Sequence, residues 1–145
     1  MTLESKWYAW LLKKYDYSPV AMMRWVESTY NGGANFCCSL LSPDYIPHEK
    51  DRRLRQIPGQ AIIGTSDPLR DIRFLSHKHK DHFEFILEAK IHPITIIRNS
   101  IISSAILFVQ TSKQQELVMR FSFEKVYVDE GASVTISMPY LAKFY

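Results

Sequence analysis

Apolar and polar side chains alternate with a period of two through the last third of the chain. The alternation runs through three segments, 102–109, 117–124 and 134–140. Turn-forming residues at 111–114 and at 129–131 separate these segments. A period of two with one apolar face is typical of half-buried antiparallel strands. This part of the chain therefore predicts three consecutive strands of one antiparallel sheet.

Two other segments carry the spacing of an amphipathic helix. Residues 3–14 place apolar side chains three to five positions apart, and residues 80–91 place four of them at i, i+3, i+4 and i+8. A strand-like run at Asp71–Leu75 precedes the second segment, and Pro93 marks its end. The sequence therefore predicts a short N-terminal helix and one longer helix packed on a sheet.

The chain between these segments combines a hairpin signal with an irregular stretch. Residues 21–29 fit a helix or a strand, but the following Asn-Gly-Gly turn signal and the apolar run 36–41 favour a β-hairpin. Residues 42–69 are rich in proline and predict a long excursion, with short strands near 54–57 and 61–63. Excursions of this length often contact a partner.

Together these patterns predict one mostly β domain over residues 1–145, of α+β class. We expect a small antiparallel β-barrel or sandwich with one packed helix and a short N-terminal helix. The chain has 145 residues, of which 46% are hydrophobic and 23% charged, near the average for globular domains. A domain of this length can bury roughly 68–70% of the surface that its unfolded chain exposes, so it needs no disulfide or metal to be stable.

Charge and cysteine content narrow the function classes. The formal net charge of +3 is too small to imply nucleic-acid binding by itself. Cys37 and Cys38 are adjacent, so in a strand they would point to opposite faces, which disfavours a disulfide framework and indicates a reducing compartment. No signal peptide and no apolar run of about 20 residues is visible. The sequence therefore predicts a protein that is intracellular when made and has no membrane partner.

One short motif has the residue types of a metal site. The segment His77-Lys78-His79-Lys80-Asp81-His82 follows a predicted strand and resembles the H-x-H-x-D-H element of metallo-β-lactamase-fold hydrolases. That resemblance implies zinc bound by His77, His79, Asp81 and His82. However, such hydrolases are longer and bring further ligands, whereas only His92 and Asp129 follow here. The alternative is a polar turn that caps a helix starting near Lys80, which leaves no catalytic residue, metal or cofactor.

A second resemblance covers most of the chain. The segments that carry it are Asp16–Pro19, Met23–Tyr30, Asn35–Leu40, Leu54–Gly59, Asp71–Leu75, Phe83–Ile91, Ser104–Val109, Gln115–Val128 and Val134–Tyr140. In this order they are similar to the tail tube proteins of contractile-tailed phages. They are also similar to the related type VI secretion tube protein and baseplate tube initiators. Pro139 departs from the family's last strand, because proline cannot donate to a strand ladder, and it predicts that this strand bends or stops there.

The tail tube resemblance implies a structural virion protein and not an enzyme. Its subunits would form hexameric rings that stack around a channel for DNA passage, with tail sheath or baseplate proteins as outer partners. The protein would then lie in the virion tail, and in the host cytoplasm during assembly. Whether it forms the tube body, its initiator or its terminator stays open. The alternatives are the zinc-dependent hydrolase and a β-barrel adaptor that does not polymerise.

Two groups of residues are candidates for the assembly interface. Trp7, Trp10 and Tyr15 are aromatic anchors of the kind that interfaces favour, although aromatic residues near the N-terminus, Trp25 included, equally suit a core. The tail tube resemblance implies that the basic residues Arg52, Arg53 and Arg55 contact a neighbouring ring or the sheath, and the alternative is a solvated loop or strand end. A position in the lumen is disfavoured, because a basic lining would hold DNA phosphates that have to slide.

Overall fold

The computed structural model describes residues 2–4, 6–8, 19–45, 57–69, 72–110 and 115–144. Two short strands, a helix and seven further strands follow one another along the chain, with a single 3₁₀ turn at Gly59–Ala61 in these ranges. Their bounds are β1 Thr2–Glu4, β2 Lys6–Tyr8, α1 Pro19–Asn31, β3 Asn35–Leu41, β4 Ile62–Thr65, β5 Arg73–Lys78, β6 Phe83–Thr95, β7 Ser100–Gln110, β8 Gln115–Val128 and β9 Ser133–Phe144.

The strands form two sheets. The four-stranded sheet has the order β1-β9-β6-β5, and the five-stranded sheet has the order β2-β8-β7-β3-β4. Neighbouring strands are antiparallel except for β1, which runs parallel to β9. The fold is a small β-sandwich-like domain with one helix in the described residues, which confirms the mostly β class expected from the sequence. These strands do not close into a barrel.

The main core lies between the two sheets. Alternate residues of β3 and β7 pack there against β6 and β9, together with Trp25 and Tyr30 from α1. A second buried cluster lies on the other face of the five-stranded sheet, where Ile57 and Ala61 help to cover it. Its buried members are Cys37, Leu41, Ile57, Ala61, Ile106, Phe108 and Leu117. Both faces of this sheet are therefore buried, which explains why five of the seven residues of β3 are apolar.

The two cysteines illustrate this double burial. Cys38 belongs to the main core and Cys37 to the second cluster, so their side chains lie on opposite faces of β3, as the sequence predicts. Both thiols are free. Burial raises the pKa of each thiol, most strongly at Cys38. Both groups therefore stay protonated and act as small apolar side chains.

The expected strand at residues 21–29 is wrong, because the segment forms helix α1. The glycines that favour a hairpin instead end this helix. The N–H of Gly33 donates to the carbonyl of Tyr30 at 3.0 Å, and the N–H of Ala34 donates to that of Thr29 at 3.3 Å. Gly33 has a φ of 90°, so the pattern is a Schellman C-cap rather than a hairpin turn.

The expected helix at residues 80–91 is also wrong, because residues 83–95 form the long strand β6. The helical spacing of its apolar residues is coincidental in a segment rich in aromatic and β-branched side chains. Pro93 lies in a β-bulge, where the register shifts between Ile91 and Ile94. A bulge tolerates proline because one ladder hydrogen bond is already missing there.

The N-terminal helix expected at residues 3–14 is contradicted over its first part, and residues 9–14 lie outside the described ranges. Residues 2–4 pair with β9 and residues 6–8 pair with β8. Tertiary pairing with these longer strands outweighs the local helical spacing. β1 and β2 belong to different sheets, β1 to the four-stranded sheet and β2 to the five-stranded sheet.

The three C-terminal strands are confirmed, as are the strand near Asp71–Leu75 and the short strand near 61–63, here β4. A stop of the strand at Pro139 is wrong, since β9 continues to Phe144. Pro139 pairs with Glu88 of β6, and the alternation of the ladder turns its nitrogen away from β6. No hydrogen bond to β6 is lost at this position.

Candidate functional site

The histidine motif forms the tip of the β5–β6 hairpin. β5 ends at Lys78 and β6 begins at Phe83, and these two residues pair. The N–H of His79 donates to the carbonyl oxygen of His82 at 2.8 Å. The connection is thus a tight turn with Lys80 and Asp81 at its centre. The pairing of the two strands fixes the position of each motif residue.

The strand register brings three histidines of the motif and one glutamate of β6 to the same face of the hairpin. His77 lies directly opposite Glu84, and His79 and His82 are each two residues away from that pair. Because side chains alternate along a strand, all four point to the same side of the hairpin. We call His77, His79, His82 and Glu84 the hairpin-tip cluster.

Three members of the hairpin-tip cluster converge on one point. The Nε2 atom of His79 lies 3.3 Å from Oε2 of Glu84, and Nε2 of His82 lies 3.2 Å from Oε1. The rings of His79 and His82 are stacked with centroids 4.4 Å apart and an interplanar angle of 11°. One nitrogen from each ring and one carboxylate oxygen all lie within 4.8 Å of one another.

The other two motif residues have different positions. The ring of His77 lies 6.5 Å from that of His79 and contributes no atom to the converging set. Asp81 binds the far side of His82, with Oδ1 at 2.7 Å from Nδ1. Of the four zinc ligands that the motif suggests, His79 and His82 converge. Asp81 binds His82 from behind, and His77 lies beside the converging residues. Glu84 was missed by the sequence motif because its proximity depends on the hairpin register.

Hydrogen bonding shifts the titration of this pair of residues. The hydrogen bond to His82 lowers the pKa of the Asp81 carboxyl. Hydrogen bonds to Asp81, and then to Glu84, raise the pKa of His82 above its ordinary value of 6.5. Both ring nitrogens of His82 donate to carboxylates in this arrangement, which favours the imidazolium form.

We expect the Asp81→Asn substitution to lower the pKa of His82 toward 6.5, because the largest contribution to its shift is removed. A His with a raised pKa adds stability that is fully present below pH 6.5 and is lost as the pH rises through the folded-state pKa. The groups that face His82 are Asp81, Glu84 and His79, and Lys143 pairs with Glu84 in register.

The measurement is an NMR titration of the imidazole protons in the presence of a chelator, on the natural protein and on the Asp81→Asn variant. His77 serves as the internal control, since it makes no contact with Asp81 among the contacts described. An unchanged His82 pKa in the variant would contradict the role given to Asp81.

The residues expected at an assembly interface have mixed outcomes. Trp10 and Tyr15 lie outside the described residues, as do the basic residues Arg52, Arg53 and Arg55. Trp7 lies in β2, where its backbone pairs with Phe121. Trp25 is half-buried and packs against the main core, which fits the core alternative stated for it.

Four large apolar side chains of the described residues are exposed. Leu75 lies in the middle of β5 and is 47% exposed. Ile101 and Tyr127 form a directly opposed pair on β7 and β8, and Ile97 lies in the loop just before β7. Tyr127 is the most exposed of the four, at 58%. The surface of β5 around Leu75 and the surface around Ile101 and Tyr127 are therefore candidates for contact with other molecules.

A shallow cavity of about 300 Å³ opens beside the second buried cluster. Two cationic side chains and three serines are among the residues that line it. Its lining residues are Pro43, Tyr45, Ser103, Ser104, Arg120, Ser122 and Lys125. Arg120 and Tyr45 already have interactions within the chain. The hairpin-tip cluster has the better defined geometry and is therefore the candidate site.

No family model matches the chain, and comparison with curated proteins and with solved structures gives no significant match. Within the described ranges, no helix combines the length and the apolar character that crossing a bilayer requires. The function therefore has to be inferred from the residues and from the geometry given above.

Proposed function

We propose that this chain is a structural subunit of a phage tail tube, or of the tube's initiator or terminator. Copies of the chain assemble side by side into hexameric rings, and the rings stack around a channel through which DNA passes. Tail sheath or baseplate proteins are its outer partners. The sequence resemblance and the mostly β sandwich-like fold support the proposal.

One observation carries the assembly step: the four-stranded sheet has two open edges in the described part of the chain. β5 pairs with β6 on one side and with no described strand on the other. β9 pairs with β1 only over Thr135–Ser137, so its last residues pair with β6 alone. The open part of each edge is about six residues long.

The ladder pattern tells which backbone groups face outward. Because His79 donates to His82, alternate residues of β5 bond to β6 and the others point away from it. The outward-pointing backbone groups on β5 belong to Phe74, Ser76 and Lys78. By the same alternation, those on β9 belong to Pro139, Leu141 and Lys143. Unpaired groups of this kind favour the addition of another strand.

Two different open edges on one sheet favour a ring over a dimer. When β5 of one copy pairs with β9 of the next, the contact is head-to-tail and can repeat. A ring closes when the rotation between successive copies adds up to a full turn. Leu75 would then be covered, which accounts for an exposed leucine at the middle of the edge. The exposed Ile101–Tyr127 pair offers a second surface for contact between rings.

The test is the mass of the protein in solution, measured by sedimentation, with negative-stain images of the same fraction. We expect rings of six copies and stacks of such rings. The Ser76→Pro substitution removes an N–H that points outward and leaves the ladder to β6 intact. It should therefore abolish or strongly weaken ring formation. Ser76→Ala is the matched control, because it changes the same side chain and keeps the N–H.

Three results would contradict the proposal. A monomer at every concentration would favour the non-polymerising adaptor. A dimer that Ser76→Pro dissolves would mean that β5 pairs with β5 of a second copy. Metal-dependent hydrolysis by a monomer, lost on His79→Ala, would favour the hydrolase alternative.

A further inference from the structure

We propose that the hairpin tip is a binding site for one divalent transition metal ion of the zinc class, with His79, His82 and Glu84 as its ligands. This inference does not rest on the proposed function, and it applies equally to a monomer and to a ring. Its ligand set also differs from the one that the sequence motif suggests. Glu84 enters as a ligand, whereas His77 and Asp81 do not.

The distances fit a tetrahedral zinc ion. Zinc binds imidazole nitrogen at roughly 2.0–2.1 Å and carboxylate oxygen at roughly 2.0–2.2 Å. In a tetrahedron with bonds of about 2.0 Å, neighbouring ligand atoms are about 3.3 Å apart. The two nitrogen–oxygen distances to Glu84 are 3.2 and 3.3 Å. These two distances run to the two different oxygens of Glu84, and one nitrogen from each ring and one carboxylate oxygen lie within 4.8 Å of one another. Side-chain rotations would bring three such atoms to the edges of a tetrahedral site.

Asp81 has the position of an outer support for the site. A histidine that binds metal through one ring nitrogen usually donates its other N–H to a carboxylate or carbonyl group. Here Nδ1 of His82 is held by Asp81 at 2.7 Å. That hydrogen bond fixes the ring orientation, and a metal ion would take the place of the proton that Nε2 shares with Oε1 of Glu84. The sequence places this support in the turn itself, one residue before the ligand.

The backbone holds the ligands in place. All three ligands come from the two ends of one tight hairpin, where strand pairing and the hydrogen bond between His79 and His82 fix the backbone. The side chains of His82 and Glu84 are only 15% and 21% exposed, so little rotamer freedom is left to lose. Two imidazoles and a carboxylate suit zinc and its neighbours among the transition metals, rather than calcium or magnesium. Three protein ligands leave a fourth position for water or for a donor from another molecule.

The experiment is calorimetric titration of the untagged, chelator-treated full chain with Zn²⁺ at about pH 8, where imidazoles are available as ligands. We expect one ion per chain. Cobalt(II) should give the intense visible absorption of a tetrahedral site, and Zn²⁺ should displace it. Asp81→Asn should weaken Zn²⁺ binding about 10–100-fold, as is usual for an outer support. His79→Ala and Glu84→Ala should weaken it at least as much.

His77→Ala is the matched control, because it removes an imidazole from the same face without removing a ligand. It should change the affinity less than about twofold. Circular dichroism of every variant checks that the fold is kept, which these partly exposed positions should allow. Zn²⁺ binding that falls equally in His77→Ala and His79→Ala would overturn the proposal in favour of unspecific binding to a histidine-rich surface. So would the absence of stoichiometric binding, or binding that Glu84→Ala leaves unchanged.

Discussion

Replacing Phe36 by alanine is expected to lower the free energy of unfolding by about 3–5 kcal/mol. The Phe36 side chain is fully buried in the main core between the two sheets. Its ring contacts that of Tyr30 on α1 in a tilted arrangement, with centroids 6.0 Å apart. The substitution therefore removes buried apolar surface and the aromatic contact through which α1 packs on the core. The total free energy of unfolding of a domain of this size is only about 5–15 kcal/mol.

The measurement is chemical denaturation followed by two spectroscopic probes, with both proteins in the same oligomeric state. The melting temperature should fall by roughly 10 °C or more. Tyr127→Ala, measured on the unassembled monomer, is the control, since it removes an aromatic ring that is 58% exposed in the single chain. Its cost should stay within about 0.5 kcal/mol. A loss below about 1 kcal/mol for Phe36→Ala would show that the core is not packed as described.

Replacing Gly64 by alanine is expected to lower the free energy of unfolding by about 2–3 kcal/mol. Gly64 lies in β4 at the corner where this strand meets the end of β6. A Cβ atom there would lie 2.7 Å from Cγ2 of Ile94 and 2.7 Å from the carbonyl oxygen of Thr95. The second contact is with backbone, so β4 and β6 would have to move apart. The N–H of Ile97 donates to the carbonyl of Ile63 at 2.9 Å nearby, and this bond would be strained as well.

Gly59→Ala is the control for this experiment. A Cβ atom at Gly59 would meet nothing within 4 Å, and the residue is not among those with positive φ. Alanine there reduces the freedom of the unfolded chain, so the variant should be neutral or up to about 1 kcal/mol more stable. Equal effects of the two substitutions on the denaturation midpoint would contradict the close approach of β4 to β6.

The parts of the fold that the sequence predicted are those in which local pattern and final environment agree. Strands β7, β8 and β9 have a clear period of two and short connections. The sequence predicted a strand where α1 forms and a helix where β6 forms, because the pattern of each segment is compatible with either structure. Pairing decides between the two, and β6 pairs with β5 and β9 along most of its length. Such long-range pairing is not encoded in a window of ten residues.

The candidate site was found in part for a similar reason. The spacing of His77, His79 and His82 was visible in the sequence, because a hairpin preserves a period of two within each strand. Glu84 was not, because its convergence with His79 depends on which residues form the turn. A turn one residue longer would have moved Glu84 to the other face. The open edges of β5 and β9 were likewise invisible before the strand order was known.

The position of β9 in the four-stranded sheet has a consequence for how the protein is made. β9 lies between β1, from the start of the chain, and β6, from its middle, yet it spans residues 133–144. Until those residues leave the ribosome, none of the other described strands can pair with β1 or with the inner side of the β5–β6 hairpin. Such non-local pairing is slow to form, and synthesis supplies only about 5–20 residues per second. The nascent chain therefore exposes unpaired, aggregation-prone strands for seconds. The yield of folded protein in the cell should depend on chaperones that shield these strands.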